Sequence, residues 1–599
     1  MIFESKGETR QRLRRFDNIR GKKETNHTFW DVVVVTAADE PQKNAFQKQI
    51  EQKLKSKELP TFSSYLVICD PPGYKIGNGG ATMLVLEELY SKYGESVYKM
   101  KTIVIHAGGY SQRLPTASVL GKVFTAFPTR EPILQMLELK LASYIDFPGK
   151  IESGGVFVCC ADTVEVYNDL GKPWKFHPSG ITGLGHPSSI EIGTTHGVYL
   201  LNSLHSGSIT AECKQFLHKP SAKKMYATNG CVQKTALGED IVITDSAFYM
   251  APDVCRKLLK FYCDNKPLTC EIDAYGDFLQ ALGTDSDDSY ITNTANVVRE
   301  TSSLLYLRRK VFDTLRGTTL HVVALIPRVG ETSDVSSHFY HFGTSREYLD
   351  VMTKERVLSE ITDSELVSHC AGLPYKYTPA GDKPLVENPP RLMASVILPC
   401  VSIGEGSTLE YCHLREFTAI GANSIVSSCS LFPSTTVPPD TILHTVAINS
   451  HHAGELQFVT IAFGIADNMK ASTLWDNALS EIKYYGNLLE NTFSDASRAF
   501  PNTAKDDKVS LWHAKIFPAF PTMEKSSSQA CERLNVILKN RGNAAKCKLS
   551  EEPDQVLYSM ADILLCKNVD RMLEFRSKLK SQIQATRHDQ SALSSLYSS

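Results

Sequence analysis

Residues 103–115 read IVIHAGGYSQRLP: a β-branched apolar run ends in a glycine pair, and Arg113 follows. Gly121-Lys122 comes shortly afterwards. A buried strand that breaks into a glycine-rich turn presents backbone N–H groups to an anion, and a Cβ at the glycines would block the close approach of a phosphate. The positive charges of Arg113 and Lys122 suit the same ligand. The stretch therefore predicts a phosphate-binding turn at the end of a buried strand.

Two common phosphate-binding loops do not fit this pattern. The dinucleotide fingerprint needs G-x-G-x-x-G, whereas the glycines here are adjacent. The Walker A loop needs Ser or Thr after its lysine, but Val123 follows Lys122. The pattern instead resembles the signature of sugar-nucleotide pyrophosphorylases, in which a G-x-G-T-R-L loop precedes a Pro-Lys pair. An ordinary strand and turn with a surface Arg and Lys is the alternative interpretation.

The composition is that of an ordinary globular protein. The chain has 599 residues, of which 42% are hydrophobic and 22% charged, and its net charge is −2. That length predicts about two to four domains. The charge balance gives no electrostatic case for binding nucleic acid or a membrane surface. The sequence also shows no uninterrupted apolar run of the roughly 20 residues that a membrane helix needs.

The cysteines and the first residues bear on location. The 15 cysteines are an odd number with no C-x-x-C pair, which predicts free thiols in a reducing compartment and argues against zinc. The first residues are charged and show no apolar leader. A cytoplasmic protein is therefore expected.

Strands and helices are predicted to alternate over the first part of the chain. Short β-branched runs predict buried strands, and apolar residues at helical spacing predict the helices between them. Such βαβ units form a parallel sheet covered on both faces, and ligands bind at the carboxyl ends of its strands. The predicted strands are residues 31–36, 65–70, 101–107 and 155–160, and the predicted helices are residues 42–54, 83–90 and 133–144.

The pattern changes after about residue 390. The new spacing resembles hexapeptide repeats, in which one inward aliphatic per face fills a parallel β-helix, here of about three short coils. An irregular β-meander is the alternative. Residues 554–583 have the pattern of an amphipathic helix or helix pair, and Ser526–Ser528 are predicted to be flexible. The aliphatics that recur every five or six positions are Ile403, Leu409, Leu414, Ile420, Val426 and Leu431.

Two further residues are candidates for phosphate chemistry. Asp162 directly follows the apolar run 155–160, which places its carboxylate at the ligand-binding edge of the sheet. Mg²⁺ accepts one or two carboxylates when phosphate oxygens complete its shell, so Asp162 is a candidate metal ligand, with a helix cap as the alternative. Lys219 lies in QFLHKP, residues 215–220, and is a candidate cation for a phosphate. This run is similar to the Glu-Lys-Pro motif of the pyrophosphorylases, with His218 in place of the Glu, and residues 195–198 and 244–249 flank it as in those enzymes.

A second glycine loop precedes the first. Residues 76–82 read IGNGGAT and open a predicted helix, whose N–H groups are suited to a phosphate or a base. With this loop and DPPG at residues 70–73, the chain resembles the L-fucose-1-phosphate pyrophosphorylase family, over residues from about 30 to 450. Further motifs of that resemblance are IDAYGDF at residues 272–278, FGTSRE at residues 342–347 and LWHAK at residues 511–515.

The resemblance implies a fold of class α/β with several parts. It implies a Rossmann-like nucleotidyltransferase domain of GT-A type, a C-terminal left-handed parallel β-helix and a further C-terminal region. The predicted segments are a basic N-terminal segment (1–30), the catalytic domain (31–388), the short hexapeptide-type β-helix (389–451) and a mixed or helical region (452–599).

The resemblance also implies a reaction and a set of site residues. Fucose 1-phosphate in its β-L form would attack the α-phosphate of GTP in line, giving GDP-L-fucose and pyrophosphate, with Mg²⁺ as cofactor. The expected oligomeric state is a monomer or a weak homo-oligomer. The site residues are Arg113, Lys122 and Lys219 for catalysis; Gly77, Gly79, Gly80, Thr82, Gly108, Gly109, Ser111 and Gln112 for the nucleotide; Lys219, His196 and Asp277 for the sugar phosphate; and Asp162 for the metal.

Two other functions remain open at this point. One is another sugar-nucleotide pyrophosphorylase, which uses UTP or a hexosamine phosphate. The other is a catalytically inactive sensor or assembly subunit that uses the β-helix as an interface.

Overall fold

The chain packs as two compact units, each built from two stretches of sequence. The first comprises Met1–Gly109 and Leu137–His341, and the second comprises Tyr110–Met136 and Phe342–Ser599. The predicted segment boundaries at residues 30, 388 and 451 stay a prediction, and the sequence does not indicate that residues 110–136 pack with the C-terminal half. The computed structural model of the chain describes residues 2–24, 26, 28–129, 133–167, 173–202, 209–235, 238–294, 302–325, 339–355, 362, 365–372, 388–450, 454–501, 504, 507–539, 548–550, 552 and 554–597.

Helices and strands both occur along the whole chain, so the protein is of mixed α/β class. The α-helices are α1 (Ile2–Ile19), α2 (Glu40–Lys55), α3 (Gly77–Tyr93), α4 (Pro115–Leu120), α5 (Met136–Ser143), α6 (Phe147–Lys150), α7 (Ile190–Gly193), α8 (Ala222–Ala227), α9 (Pro252–Asn265), α10 (Leu304–Leu315), α11 (Ser345–Thr353), α12 (Ala478–Glu481), α13 (Leu489–Thr492), α14 (Met523–Lys539), α15 (Met560–Cys566) and α16 (Val569–Tyr597). A π-helical turn spans Ala274–Phe278.

The strands of the first unit form a ten-stranded sheet and a separate two-stranded sheet. They are β1 (Val32–Ala37), β2 (Ser64–Cys69), β3 (Lys101–His106), β4 (Gly155–Cys160), β5 (Thr163–Glu165), β6 (Ile181–Ser189), β7 (Gly197–Leu201), β8 (Thr210–His218), β9 (Gln233–Lys234), β10 (Asp240–Met250), β11 (Leu320–Ala324) and β12 (Phe339–His341).

Four parallel strands, in the order β2-β1-β3-β4, form one half of the large sheet. Each lies within one residue of its predicted position at either end. All of β1 and all but the first residue of β3 are buried, as expected for Val- and Ile-rich strands covered on both faces. The chain runs from β1 outward to β2 and then returns to place β3 on the other side of β1. Such a reversal is a topological switch point, where the carboxyl ends of the strands leave a crevice for a ligand.

The other half of the large sheet is mixed. β10 lies antiparallel to both β4 and β6, β11 lies parallel to β6, and β8 lies antiparallel to β11 and β7. The predicted parallel sheet is therefore confined to β1–β4. Of the antiparallel pairs, β7 and β8 follow each other closely in the chain, as antiparallel neighbours commonly do, whereas β10 pairs with β4 and β6 from far along the chain.

The second unit contains short strands that stack in three parallel sheets. The described strands of the whole unit, stacked or not, are β13 (Val367–Ser368), β14 (Arg391–Met393), β15 (Val396–Ile397), β16 (Ser402–Ile403), β17 (Thr408–Glu410), β18 (His413–Leu414), β19 (Ala419–Ile420), β20 (Ile425–Ser427), β21 (Ser430–Leu431), β22 (Thr436–Val437), β23 (Thr441–Asn449), β24 (Leu456–Gly464), β25 (Ser472–Leu474), β26 (Lys483–Tyr484), β27 (Asn487–Leu488), β28 (Lys508–Ser510), β29 (Phe517–Phe520) and β30 (Leu557–Tyr558).

Strands in each stack pair with a step of 17 residues along the chain. One stack runs β14-β17-β20-β23, the second β15-β18-β21 and the third β16-β19-β22. Aliphatic residues occupy equivalent inward positions on successive turns, and their side chains are buried. In each stack in turn these are Leu409, Val426 and Leu443; Ile397, Leu414 and Leu431; and Ile403, Ile420 and Val437.

The C-terminal part of the second unit continues the first of these sheets with antiparallel strands. β23 pairs with β24, β24 with β29 and β29 with β30. Residues 554–583 contain α15 and most of the described part of α16, which agrees with the predicted helix pair. Within the described ranges, every helix is too short or too polar to cross a membrane.

The predicted flexibility of Ser526–Ser528 is wrong. All three serines lie within α14 and are buried. Ser527 Oγ lies 2.9 Å from Thr445 Oγ1 on β23, and Ser526 Oγ lies 2.8 Å from Thr460 Oγ1 on β24. The serine run is a buried polar helix face that packs on hydroxyl-bearing strands, and a run of small polar residues does not by itself reveal such a partner.

Candidate active site

The glycine pair lies directly after β3, in the crevice at the switch point. Gly108 approaches the end of β1 so closely that a Cβ there would lie 3.1 Å from the carbonyl carbon of Ala37. Gly109 has a φ of 98°, which residues with side chains rarely adopt. Gln42, at the start of α2, donates its side-chain amide to the Gly109 carbonyl at 3.2 Å. Backbone conformation therefore favours glycine at position 109, and close packing against β1 favours it at position 108.

Only part of the backbone of this turn is open to an anion. The N–H groups of Ala107 and Gly108 donate to Thr36 Oγ1 at 3.2 and 3.3 Å. Both glycines are exposed, and the N–H of Gly109 has no hydrogen-bond partner among the described residues. Within the glycine pair, the Gly109 amide is thus the donor that is available to a phosphate.

Four of the predicted site residues belong by packing to the second unit: Ser111, Gln112, Arg113 and Lys122. Ser111, Gln112 and Lys122 are half-buried, and the Arg113 side chain is exposed. Ser345, the first residue of α11, donates its backbone N–H and its hydroxyl to the Arg113 carbonyl at 2.9 and 3.0 Å. The backbone at Arg113 is therefore fixed, while its cationic end remains in solvent.

The FGTSRE motif explains how Ser345 is held. Thr344 is the N-cap of α11 and accepts the Glu347 N–H at 3.1 Å. Glu347 Oε2 in turn accepts the Gly343 N–H at 3.0 Å. These contacts fix the start of α11, and with it the residue that grips the Arg113 carbonyl.

The second glycine loop forms the first turns of α3 and packs against residues 272–274. A Cβ at Gly77 would lie 2.5 Å from the Ile272 carbonyl oxygen, and a Cβ at Gly79 would lie 2.8 Å from it. The Gly79 N–H already donates to that oxygen at 2.8 Å. Close packing of the helix start thus accounts for these glycines, and their contact with a nucleotide stays a prediction.

Gly80 and Thr82 are buried in the same turn. A Cβ at Gly80 would lie 2.7 Å from the Cβ of Ile76. The Thr82 hydroxyl donates to the Asn78 carbonyl at 2.8 Å and lies 2.9 Å from Nε2 of His106. Thr82 therefore braces the strand end that carries the glycine pair, and its predicted role as a nucleotide ligand would have to be indirect.

Asp162 lies just beyond the carboxyl end of β4, beside β3. The Ala161 N–H donates to the His106 carbonyl at 3.1 Å and so joins the ends of the two strands. β5 begins at the next residue and pairs antiparallel with β12, with Thr163 opposite His341. Asp162 is half-buried. Its carboxylate lies at the ligand-binding edge, where the sequence pattern places it.

His196 and Lys219 lie together near Asp162. The Lys219 N–H donates to the His196 carbonyl at 3.0 Å, and Lys219 is exposed with a left-handed φ of 46°. Burial is the main cause that lowers the pKa of His196; the charge of Lys219 lowers it further, and that of Asp162 raises it. These three predicted residues, which are distant in sequence, are thus within electrostatic reach of one another.

Three residues that the sequence did not assign to the site join this cluster: Asp245, Asp273 and His341. Asp245 is buried and accepts the Gly197 N–H at 2.8 Å. Burial raises the pKa of Asp245 to about 7, against the opposing effects of that hydrogen bond and of Lys219. Asp273 Oδ2 lies 4.0 Å from Nε2 of His218, and the His341 ring lies 6.1 Å from that of His196.

Two of these three residues lie within sequence motifs that are quoted above. Asp245 lies in the segment 244–249, and Asp273 lies in IDAYGDF. The motifs were a usable signal for both. His341 belongs to no motif, and only the pairing of β12 with β5 reveals it.

Asp277 does not present a free carboxylate to a ligand. Its side chain is 2% exposed, its Oδ1 accepts Nε of Arg308 at 2.7 Å, and its Oδ2 accepts the Asp273 N–H at 2.8 Å. Burial raises the pKa of Asp277 to about 6, while Arg308 opposes that shift. Substrate binding by Asp277 stays a prediction, although both of its carboxylate oxygens already have protein donors. Its contacts fix the π-helical turn that carries Asp273.

The donor set at this edge suits a cation that is shared with a bound phosphate. Among the described residues, no group of three His, Cys, Asp or Glu side chains is placed to hold a metal ion. Asp162 supplies a half-buried carboxylate at this edge. Mg²⁺ is commonly held by one or two carboxylates and completes its shell with substrate phosphates and water. The residues present fit such a site and do not fit an all-protein metal cage.

The chain is similar to a known protein family over most of its length. A family model described as the fucose pyrophosphorylase domain matches residues 94–522, which is more than half of the chain. The chain belongs to the fucose pyrophosphorylase family. The matched range includes the first glycine turn and Arg113, together with Lys122, Asp162, His196 and Lys219. In this fucose pyrophosphorylase the second glycine loop, residues 76–82, precedes the matched range.

Individual proteins are similar over nearly the whole length. The chain is 37% identical to the fucose-1-phosphate guanylyltransferase of Mus musculus over 603 residues, which cover 97% of this chain and 98% of that protein. It is 36% identical to the fucose-1-phosphate guanylyltransferase of Homo sapiens over 609 residues, 96% of this chain and 94% of that protein. It is also 23% identical over 530 residues to the bifunctional fucokinase/GDP-fucose pyrophosphorylase of Arabidopsis thaliana, of which the match covers 47%.

Proposed function

We propose that this fucose pyrophosphorylase is a fucose-1-phosphate guanylyltransferase. It joins GTP to β-L-fucose 1-phosphate and releases GDP-L-fucose and pyrophosphate, the activating step of L-fucose salvage. The observation that carries the proposal is the likeness to the mouse and human proteins of that name over at least 94% of either chain in each pair. The cluster of Asp162, His196 and Lys219 in the first unit, next to the carboxyl end of β4, supports the same chemistry.

The reaction is an in-line displacement at the α-phosphate of GTP. The attacking oxygen of fucose 1-phosphate is already ionised near neutral pH, so no general base is required. The protein has to bring two polyanions together, align them and stabilise the charge that develops on pyrophosphate. Cationic side chains, of which Arg113 and Lys219 are exposed, and the backbone amide of Gly109 meet that requirement.

Each cation has a separate proposed task. Arg113 and Lys122 bind the triphosphate, with Gly109 N–H, Ser111 and Gln112 as further contacts of the nucleotide. Lys219 binds the phosphate of the sugar substrate. His196 lies beside Lys219 with its pKa lowered, chiefly by burial, and its Nδ1 donates to the Ile192 carbonyl at 3.1 Å, which fixes an uncharged ring beside the proposed phosphate site.

Asp162 is the proposed protein ligand of Mg²⁺. When bound, Mg²⁺ neutralises charge on the phosphates and so favours attack and departure of the leaving group. Asp162 contributes the fixed carboxylate, and β4 and β5 on either side of it determine where that carboxylate lies. Asp245 and Asp273 lie in the neighbouring cluster with His196 and Lys219. Asp277 accepts the Asp273 N–H and so helps to fix Asp273.

The finer architecture and the cellular setting are also proposals. We assign β1–β4 and their helices to a Rossmann-like domain of GT-A type, because of their strand order and of the ligand edge at the switch point. The regular step of 17 residues in three stacks supports a left-handed parallel β-helix. The abundance of free, mostly buried thiols supports a cytoplasmic location. A monomer or a weak homo-oligomer is the proposed state.

The test is pyrophosphate release with Mg²⁺ from the full chain, with the four NTPs crossed against four sugar 1-phosphates: fucose, mannose, glucose and N-acetylglucosamine. We expect the largest kcat/KM for GTP with fucose 1-phosphate. A maximum for UTP or for N-acetylglucosamine 1-phosphate would retain the phosphate chemistry and overturn the substrate assignment. Silence for every pair, from protein with folded circular dichroism, would overturn the enzymatic proposal in favour of a sensor or assembly subunit.

A further inference from the structure

A network of four buried polar side chains lies directly behind Asp162. Lys140, on α5, donates from Nζ to Glu165 Oε2 at 2.8 Å and to Thr163 Oγ1 at 2.9 Å. The Thr163 hydroxyl donates to Glu165 Oε1 at 2.9 Å, and the Tyr144 hydroxyl donates to Glu165 Oε2 at 2.6 Å. The side chains of Lys140 and Glu165 are 1% and 0% exposed. Each carboxylate oxygen of Glu165 therefore has a donor, with no water needed.

Lys140 and Glu165 are a true ion pair. Burial favours neutral forms of both, yet the charge and hydrogen bond of Glu165 hold the pKa of Lys140 above its usual value. Lys140 and Tyr144 likewise outweigh burial and hold the pKa of Glu165 below its usual value. Removing both ions from water costs free energy that their attraction often only balances, so stability alone is a weak reason for such a pair.

The position of the network suggests another reason. Thr163 immediately follows Asp162 in the chain, and Lys140 grips its hydroxyl. On the other side of Asp162, the Ala161 N–H is held by the His106 carbonyl at 3.1 Å. The two sequence neighbours of Asp162 are thus held by different elements: Ala161 by β3 and Thr163 by α5. A carboxylate that must meet a metal within a few tenths of an ångström benefits from such support.

We infer that Lys140, Thr163 and Glu165, with Tyr144, form the positioning network of Asp162 and tune its affinity for a divalent cation. Lys140 and Glu165 act through Thr163 and touch neither substrate. The inference deepens the proposed function and rests on it, because it takes Asp162 as the metal ligand.

The same helix offers a matched control. Glu138, also on α5, is 0% exposed and accepts Nζ of Lys53, from α2, at 2.5 Å. Lys53 also donates to Glu58 at 3.2 Å, so this second buried ion pair joins α5 to α2 and to the residues that follow α2. Loss of Lys53 and loss of Lys140 each remove the cation of a buried pair on α5, and loss of Lys140 also removes the ammonium that donates to Thr163.

The experiment measures Mn²⁺ binding to the full chain by electron paramagnetic resonance of the free ion, with and without GTP. The variants are Thr163→Val, Thr163→Ser, Lys140→Met, Lys53→Met and Asp162→Asn. We expect Thr163→Val and Lys140→Met to weaken Mn²⁺ binding by about tenfold or more, the usual effect of losing an outer-shell contact. Thr163→Ser restores the hydroxyl and should bind as the unmodified chain does, and so should Lys53→Met. At saturating Mn²⁺, kcat of the Thr163→Val variant should largely recover.

The outcomes separate this inference from the proposed function. If Asp162→Asn abolishes Mn²⁺ binding and Thr163→Val leaves it unchanged, the positioning role is overturned while the metal assignment stands. If Asp162→Asn also binds normally, the metal assignment falls and takes the inference with it. Equal losses in Thr163→Val and Thr163→Ser would point to general damage at the strand and would likewise overturn the hydroxyl-based role. The comparison of Thr163→Val with Thr163→Ser keeps the test decisive even if the Lys140→Met variant does not fold.

Discussion

The backbone and the side chain of Arg113 have separate tasks. Ser345 fixes the carbonyl, while the guanidinium is exposed, so alanine removes a charge without removing packing. We expect Arg113→Ala and Lys122→Ala each to lower kcat by about two orders of magnitude, the usual cost of losing a charge-stabilising contact. Steady-state pyrophosphate release measures this, with Lys260→Ala on the exposed face of α9 as the control. Near-normal turnover in both variants would exclude the turn from the site.

Asp245 links the site to pH. Burial raises the pKa of Asp245 to about 7, from an ordinary value of 3.8. Between these values the folded chain binds more protons at this group than the unfolded chain does, so the free energy of unfolding falls as pH rises from about 4 to about 7. One group contributes a slope of at most about 1.4 kcal/mol per pH unit.

The substitution Asp245→Asn isolates this contribution. Asparagine retains an oxygen that can accept the Gly197 N–H, but it cannot ionise. We therefore expect the variant to lose less stability than the unmodified chain as the pH rises through this window. The free energy of unfolding in urea, measured at several pH values, gives the difference. Hydrogen exchange of the backbone amides in β7 and β10 is the local readout. Identical pH slopes would show that Asp245 keeps an ordinary pKa.

Single residues differ in how far the sequence predicts them. Asp162 could be placed because it follows a buried strand at once, and the end of a parallel strand is a known ligand edge. The pairing of Asp277 could not be predicted, because its partner Arg308 is 31 positions away and only the fold brings the two together. His341 lies in no sequence motif. Its place in the cluster depends on the pairing of β12 with β5.

At the scale of elements, the start of α3 tests the packing explanation for its glycines. A Cβ at Gly79 would lie 2.8 Å from the Ile272 carbonyl oxygen, whereas a Cβ at Gly149, in α6, would meet nothing within 4 Å. We expect Gly79→Ala to destabilise the first unit by about 1–3 kcal/mol through overpacking. Gly149→Ala should be neutral or slightly stabilising. Thermal unfolding followed by circular dichroism compares the two, and equal melting temperatures would contradict the packing explanation.

The elements themselves were predictable where local patterning determines them. β1–β4 are uninterrupted apolar runs, and burial on both faces of a parallel sheet gives that pattern. The mixed half of the sheet was not predictable, because β6 (ITGLGHPSS) carries neither alternation nor a β-branched run. Its place depends on two neighbours, β10 and β11, and even the nearest pair of the register, Ser189 with Ile241, is 52 positions apart in the chain. The stacked strands were recognisable because one inward aliphatic per face is a local rule.

At the scale of the molecule, the predicted catalytic domain, residues 31–388, is divided between the two units. Residues 110–136 carry Arg113 and Lys122 and pack with the C-terminal half, while Asp162 and Lys219 belong to the first unit. The contact of Ser345 with Arg113 spans 232 positions. No local pattern reports a contact of that range, so the sequence predicts the residues of the site better than it predicts the part of the fold that holds each of them.

The C-terminal helix should therefore influence catalysis although it carries no predicted site residue. Leu579 and Ile583 of α16 are buried against Ala371 and Val396, and Lys567 donates to the Val119 carbonyl at 2.8 Å, within the segment that carries Arg113. Large-to-small substitutions in a core cost about 2–5 kcal/mol each. We expect the double variant Leu579→Ala/Ile583→Ala to increase amide hydrogen exchange in residues 110–129 and 388–450 and to lower kcat.

The same variant should leave exchange in β1–β4 unchanged, because those strands belong to the first unit. Lys578→Ala, on the solvent face of α16 with a side chain that is 62% exposed, is the matched control and should change neither exchange nor turnover. If the double variant loosened residues 388–450 and kept full activity, the second unit would not be holding the Arg113 turn. If exchange rose in β1–β4 as well, the two units would unfold together, and the separation by packing would have no counterpart in stability.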